Sequence, residues 1–230
     1  MKQTQQKTSK NDDKAWMKWA YVGVALLVAV AMVGSYLAPM FGSGQKAQVG
    51  NTAQIGYTIR GEDGRPLATT DQNLVSSESQ KGNLVLLTRG LTIPVGSQVS
   101  GENVAVIPVE YPPGFSAVGL LGFETNAISQ GLIGMRPGET KVVGFSYGAN
   151  DLEANLSQED ADGIGLNFSE RAVGDMVMLG LTASPDIPMG NETNETPALR
   201  IGKVIAKNPD SLVITYRYGS AEVTLNSITG

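Results

Sequence analysis

One long uncharged segment divides this chain and limits what it can fold into. No charged residue occurs between Lys18 and Lys46, and residues 20–38 are mostly Val, Ala, Leu and Met. At about 1.5 Å per residue, a helix of this length crosses a hydrocarbon core of roughly 30 Å. The pattern therefore predicts three N-terminal segments: a polar tail at 1–18, a transmembrane anchor at 19–41 and a linker at 42–48.

Charge sets the predicted orientation of this anchor. Five lysines precede the apolar segment, which places the N-terminus in the cytoplasm and the remainder of the chain outside it. Trp16 and Trp19 mark one membrane interface, and Tyr36 marks the other. A cleavable signal peptide, with a small-residue site at 33–35, is the rival interpretation, although such peptides have apolar cores of only about 7–15 residues.

The composition favours a turn-rich β protein and excludes several kinds of chemistry. The chain has 28 glycines and only 17% charged residues. It contains no histidine and no cysteine, which excludes disulfides, thiol nucleophiles, histidine-based triads and the usual zinc sites. The net charge of -5 argues against a nucleic-acid surface. We expect no cofactor, no metal and no nucleic-acid partner.

The acidic segment 150–170 contains the start of a calcium-loop pattern at Asp160 to Gly163. Gln158 and Ser169 occupy the first and twelfth ligand positions, where carboxylates are required. A solvated helix capped by Ser157 is therefore predicted instead.

Two stretches carry clear secondary-structure patterns. Residues 53–59 alternate apolar and polar side chains, as a half-buried strand does, and 62–65 supply a turn. Further on, Ile128, Leu132 and Met135 recur at helical spacing, ahead of a turn and an apolar strand from Thr140.

These two stretches together resemble the FKBP family of peptidyl-prolyl cis-trans isomerases. The second runs Gly-Leu-Ile-Gly-Met-x-x-Gly-Glu from Gly131, followed by an apolar strand and Ser-Tyr-Gly at 146–148; the first is similar to the family's opening hairpin. The resemblance implies a mainly β (α+β) fold, in which one short helix crosses a half-open antiparallel sheet.

The expected domain organisation follows from that resemblance. Residues 49–150 and 219–230 would form the isomerase-like domain, with an enlarged insertion at 72–124 that we expect to add two or three strands. Residues 151–218 are similar to the insert-in-flap module of longer bacterial and archaeal members, which is a small inserted β module.

The resemblance also implies a proline pocket. Its catalytic positions would be Tyr57, Ile128 and Tyr147, and its substrate-binding positions would be Leu67, Leu132 and Phe145. Leu67 and Ala68 stand where the family has an aromatic residue and an aspartate, so the carboxylate near the twisting amide is lost. From the residues alone, Tyr57 could equally be an inward-facing core residue.

A proline-rich aromatic stretch, Glu110 to Phe115, completes the candidate features. It reads as a rigid turn or as a lip over the pocket, and the turn is the favoured interpretation.

Prolyl isomerisation suits a chain without a side-chain nucleophile. The barrier of about 18–20 kcal/mol falls when a dry pocket disfavours the planar amide and a donor, here the Tyr147 hydroxyl, reaches the twisted one. We therefore predict a membrane-anchored extracytoplasmic isomerase that also binds unfolded or proline-containing polypeptides. The alternative is a non-catalytic polypeptide-binding or cell-envelope structural protein.

Four N-glycosylation sequons lie on the predicted exported side, where glycans would be added. Their asparagines are Asn155, Asn167, Asn191 and Asn194.

Overall fold

The computed structural model describes residues 45–181 and 198–230, and the chain from Gln45 to Gly230 forms one compact unit. The predicted tail, the predicted anchor, residues 42–44 of the predicted linker and the sequons at Asn191 and Asn194 lie outside the described residues. In the two described ranges, no helix is long and apolar enough to span a membrane.

Strands dominate the described residues. They are β1 (Thr52–Gly61), β2 (Pro66–Thr69), β3 (Leu86–Thr88), β4 (Leu91–Pro94), β5 (Val104–Tyr111), β6 (Ala117–Leu121), β7 (Thr140–Gly144), β8 (Glu153–Ser157), β9 (Met176–Leu181), β10 (Ala198–Lys207), β11 (Ser211–Thr215) and β12 (Tyr218–Thr229). The helices are α1 (Gln72–Gln80), α2 (Gly122–Gly131) and α3 (Gln158–Gly163), with a 3₁₀ turn at Phe168–Glu170.

These strands form one mixed sheet. Its order is β7-β12-β1-β2-β3-β5-β6-β10-β11-β8, with β4 paired to β1 and β9 paired to β10. The β2–β3 and β6–β10 pairs are parallel, and the other pairs are antiparallel.

The prediction of a small half-open antiparallel sheet carrying a separate β module is therefore wrong. Strands β3, β5 and β6 come from the predicted insertion 72–124 and continue the sheet beyond β2. Strand β6 is buried along its whole length and pairs with β10, which belongs to the predicted module 151–218. Buried backbone groups need hydrogen-bond partners, and β6 pairs with β5 on one side and with β10 at Val118 on the other, so the insertion joins the two parts. The insertion also forms α1, a helix that the sequence analysis does not predict.

The centre of the core lies between β1 and β12. Ile55, Ile59, Val223 and Leu225 are almost completely buried, on strands that pair antiparallel with Tyr57 opposite Val223. Each such side chain contributes about 1.5–3 kcal/mol of burial free energy. Their contacts hold the first strand of the domain against the last one.

Helix α2 packs against this core and begins at an unusually close approach. The Leu121 N–H donates to the Glu124 carboxylate at 2.7 Å, which satisfies one backbone group at the start of the helix. A Cβ on Gly122 would lie 1.8 Å from the Ser100 carbonyl oxygen, so only glycine fits at this position. Ile128 lies on the buried face of the helix, and Leu132 follows its last turn.

A smaller apolar cluster lies beneath α3. It joins Ala161 of this helix to Phe168, Val177, Val204 and Ile214. Ser157 caps α3, because its hydroxyl accepts a hydrogen bond from the Asp160 N–H at 3.1 Å.

Candidate functional site

A mostly apolar cavity in the described residues has a volume of about 350 Å³ and is open to solvent. We call it the methionine cavity, because two methionines of β9 line it. Its apolar lining includes Leu67, Leu84, Phe115, Met176, Met178 and Ile201. Five separate segments contribute these side chains, and tertiary packing brings them together.

Strand alternation explains how β9 contributes two side chains. Met176 and Met178 are two residues apart, so they lie on the same face of the strand. Val177 between them packs into the smaller cluster below. Both methionines are only partly buried.

The loop after α1 forms one wall of the cavity. Asp71 caps α1 by accepting a hydrogen bond from the Asn73 N–H at 2.8 Å. At the other end of the helix, the Glu78 carboxylate accepts hydrogen bonds from Lys81 Nζ and Asn83 Nδ2, both at 2.7 Å. The bond from Lys81, followed by that from Asn83, lowers the pKa of Glu78. We call these two hydrogen bonds to Glu78 the clamp. Leu84, which follows the clamp in the sequence, is 49% exposed beside the cavity.

A second cavity of about 120 Å³ shares Leu67, Met176 and Ile201 with the first, so the two cavities lie side by side. Charged groups surround the second cavity, and Lys203 Nζ lies 3.1 Å from the Asp63 carboxylate. Partial burial opposes ionisation of Asp63, but hydrogen bonds and positive charges from Arg65 and Lys203 outweigh it and lower its pKa.

Leu67 is the one predicted site residue that lines the methionine cavity. Ile128 and Leu132 are completely buried in the main core. Phe145 is partly buried and packs against the apolar clusters. The structure does not bring the six predicted residues together around one opening.

Tyr57 occupies a different environment from Leu67. Its hydroxyl lies 2.7 Å from Thr88 Oγ1 and donates to the Arg89 carbonyl oxygen at 3.2 Å. Burial raises the pKa of Tyr57. The residue borders a broad polar depression of about 510 Å³, whose lining includes Thr70 and Asn226. It is therefore a hydrogen-bonded core residue at the edge of a polar surface.

Tyr147 is bound within the core. Its hydroxyl donates to Glu124 Oε1 at 2.6 Å, lies 2.9 Å from the Tyr218 carbonyl oxygen and accepts a bond from the Tyr218 N–H at 3.0 Å. Burial raises the pKa of Tyr147, and the neighbouring carboxylate raises it further. A hydroxyl held in this way has no hydrogen left for a ligand.

Arg200, which is not among the residues predicted from the sequence, completes this buried network. Its guanidinium contacts both oxygens of Glu124 and donates from Nε to the Tyr216 carbonyl oxygen at 2.7 Å. It also lies 3.9 Å from the centre of the Tyr218 ring. Burial alone would lower the pKa of Arg200. The negative charge of Glu124 raises it by more, so the pKa of Arg200 lies above its ordinary value. A single arginine inside an apolar strand is the signal that could have indicated a buried partner.

Most of the cavity lining could not be recognised from the sequence pattern. The spacing of two methionines on β9 is a sequence signal for a shared face of the strand, and the 110–115 stretch predicts a turn or a lip that includes Phe115. Phe115 does line the mouth of the cavity. Among residues 45–181 and 198–230, no three acidic side chains come together as ligands for a metal ion.

Comparison with protein-family models gives no match, and no curated protein is similar enough to this chain to count as a relative.

Proposed function

We propose that this domain binds apolar, proline-containing segments of unfolded polypeptides in the methionine cavity, without catalysing a reaction. The observation that carries this proposal is the partly exposed apolar lining supplied by Met176, Met178 and Phe115. A volume of about 350 Å³ accommodates one or two side chains of a polypeptide and lies within the usual range for binding sites.

The chemistry of the lining supports a ligand of variable sequence. Methionine side chains are unbranched and polarizable, so they adapt to different apolar groups. The flat face of Phe115 offers a surface for a prolyl ring. The exposed Arg65 beside the cavity supplies a donor for the main chain of a bound segment.

The neighbouring second cavity supports an extended ligand. Leu67, Met176 and Ile201 border both cavities, so a segment that fills the first cavity has the second one next to it. Beyond them, Asp63 and Lys203 mark a polar end.

Binding is better supported than catalysis because of Tyr147. Donation from its hydroxyl to a substrate amide would require breaking its 2.6 Å hydrogen bond to Glu124 in the core. Ile128, another predicted catalytic residue, is completely buried as well. Prolyl isomerisation stays a prediction from the family resemblance, and the membrane anchor stays a prediction from residues 19–41.

Binding can be measured by fluorescence anisotropy on the full-length chain in detergent. The probes are a labelled Gly-Phe-Pro-Leu-Gly peptide and reduced, carboxymethylated α-lactalbumin, which is permanently unfolded. We expect Met178→Asp to weaken both interactions at least about tenfold, which is about 1.4 kcal/mol. Phe115→Ala should weaken the proline peptide more than the unfolded protein.

Val142→Asp is the matched control, because Val142 is 65% exposed on β7 and does not line the cavity. Thermal unfolding of each variant shows whether it folds. Unchanged affinity in a folded Met178→Asp variant would overturn the cavity as the binding site. Faster cis/trans exchange of the proline peptide with substoichiometric protein, reduced by Phe115→Ala, would overturn the non-catalytic part of the proposal.

A further inference from the structure

Two of the four sequons lie in the described residues, and their geometries differ. Asn155 lies on β8 and Asn167 lies in the exposed turn between α3 and the 3₁₀ segment. Both side chains are exposed. Solvent access alone therefore does not distinguish them.

In the first sequon, the Ser157 hydroxyl is hydrogen-bonded to a residue other than Asn155. Ser157 donates to the Asp160 carboxylate at 2.6 Å and accepts from the Asp160 N–H at 3.1 Å, because it caps α3. In addition, Asn155 pairs with Val213 in an extended ladder.

The second sequon has the opposite arrangement. The Ser169 hydroxyl donates to the side-chain oxygen of Asn167 at 3.0 Å. Asn167 adopts a left-handed conformation, with φ 46° and ψ 79°, which turns the chain back and brings the two side chains together. A hydrogen bond to the carboxamide oxygen draws electrons from the nitrogen and makes its N–H more acidic. The turn thus prepares the Asn167 nitrogen to lose a proton.

The turn is also held firmly to the domain. Phe168 is buried beneath it, and Lys207 Nζ donates to the carbonyl oxygens of Phe168, Ser169 and Arg171 at 2.9, 3.1 and 2.7 Å. Asn167 projects from this anchored base, so a large group attached to its nitrogen would extend into solvent without disturbing the core.

We infer that Asn167 is N-glycosylated, in preference to Asn155. In this transfer the Asn167 side-chain nitrogen forms a bond to the anomeric carbon of a lipid-pyrophosphate-linked oligosaccharide. The bond between that carbon and the pyrophosphate oxygen breaks, and one proton leaves the nitrogen. The inference depends on export of the domain but does not depend on ligand binding in the methionine cavity.

Peptide mass spectrometry of the full-length protein, purified from the cells that produce it, tests this inference. Cleavage after glutamate separates Asn155, in peptide 154–159, from Asn167, in peptide 160–170. We expect a hexose-containing mass increase on the second peptide and little or none on the first.

Two substitutions at the exposed Ser169 provide matched controls that leave the left-handed residue intact. Ser169→Ala should remove the modification, and Ser169→Thr, which keeps a hydroxyl, should retain it. An unmodified Asn167 in the native protein would overturn the inference. Equal modification of both asparagines would overturn the preference derived from the hydroxyl geometry.

Discussion

Glu124 on α2 and Arg200 on β10 form an ion pair in which both side chains are 0% exposed. The two residues are 76 positions apart, and the pair fastens the helix to a strand of the predicted inserted module. The Glu124 carboxylate also accepts bonds from the Leu121 N–H and the Tyr147 hydroxyl. These additional bonds compensate the desolvation of the charges, which a buried pair needs in order to persist.

Removing one charge of this pair should be strongly destabilising. We expect Glu124→Gln to lower the free energy of unfolding by about 3–5 kcal/mol, because the Arg200 charge would remain buried without a counter-ion. Urea denaturation measures the change. Glu110→Gln is the control, because its partner Arg89 is 69% exposed, and it should cost less than about 1 kcal/mol. Similar costs for the two variants would contradict a buried, unscreened pair.

The Tyr147 hydroxyl should matter for stability. Tyr147→Phe leaves the Tyr218 N–H without its acceptor, so we expect a loss of about 1–3 kcal/mol. Tyr111→Phe, at a side chain that is half exposed, serves as the control. Thermal unfolding and peptide binding are measured together; a folded Tyr147→Phe variant should bind the proline peptide as the wild type does. Lost binding without lost stability would place the hydroxyl in the site after all.

Gly122 should not tolerate even one additional methyl group. Because a Cβ there would lie 1.8 Å from a carbonyl oxygen, Gly122→Ala must displace the backbone before α2, and we expect a loss of about 2–3 kcal/mol. Gly144→Ala is the matched control, since a Cβ at that position meets no atom within 4 Å. Denaturation midpoints of the two variants should differ clearly, and equal midpoints would refute the close approach.

The clamp on Glu78 should make stability depend on pH in the acid range. The pKa of Glu78 is lowered in the folded state, so its contribution is fully present above the unfolded-state pKa of about 4.3 and is lost as the pH falls through the lower folded value. Glu78→Gln should therefore be less stable than wild type at pH 7 and equally stable near pH 2. Denaturation across this range tests the prediction, with the exposed Glu153→Gln as control. A stability difference that persists at pH 2 would point to packing instead of charge.

Local pattern predicted the elements whose partners are close in sequence. The alternation at Ala53 to Ile59 specifies β1. The helical spacing from Ile128 marks only the last part of α2, because this helix ends at Gly131, before Leu132 and Met135. The Ser157 cap specifies the start of α3 in the same way. Each of these depends on side chains within a few positions of one another, which the sequence displays directly.

The methionine cavity could not be predicted by the same reasoning. Leu67 and Met178 share a cavity although more than a hundred residues separate them along the chain. Likewise, nothing near Arg200 in the sequence identifies Glu124 as its partner. Such pairs depend on how strands from the insertion order themselves between β2 and β10, and strand order is a property of the whole sheet.

The sequence by itself excluded disulfides, thiol nucleophiles and histidine-based triads. It also determined the mainly β character and the positions of the sequons, because all of these follow from composition and short-range pattern. Only the tertiary structure decided that the insertion joins the sheet, that the Tyr147 hydroxyl is held by Glu124, and that Ser169 contacts its asparagine while Ser157 caps a helix. A hydrogen-bonding group has several possible partners along a chain. Once folding buries the group, it must bond to whichever partner the tertiary structure places beside it.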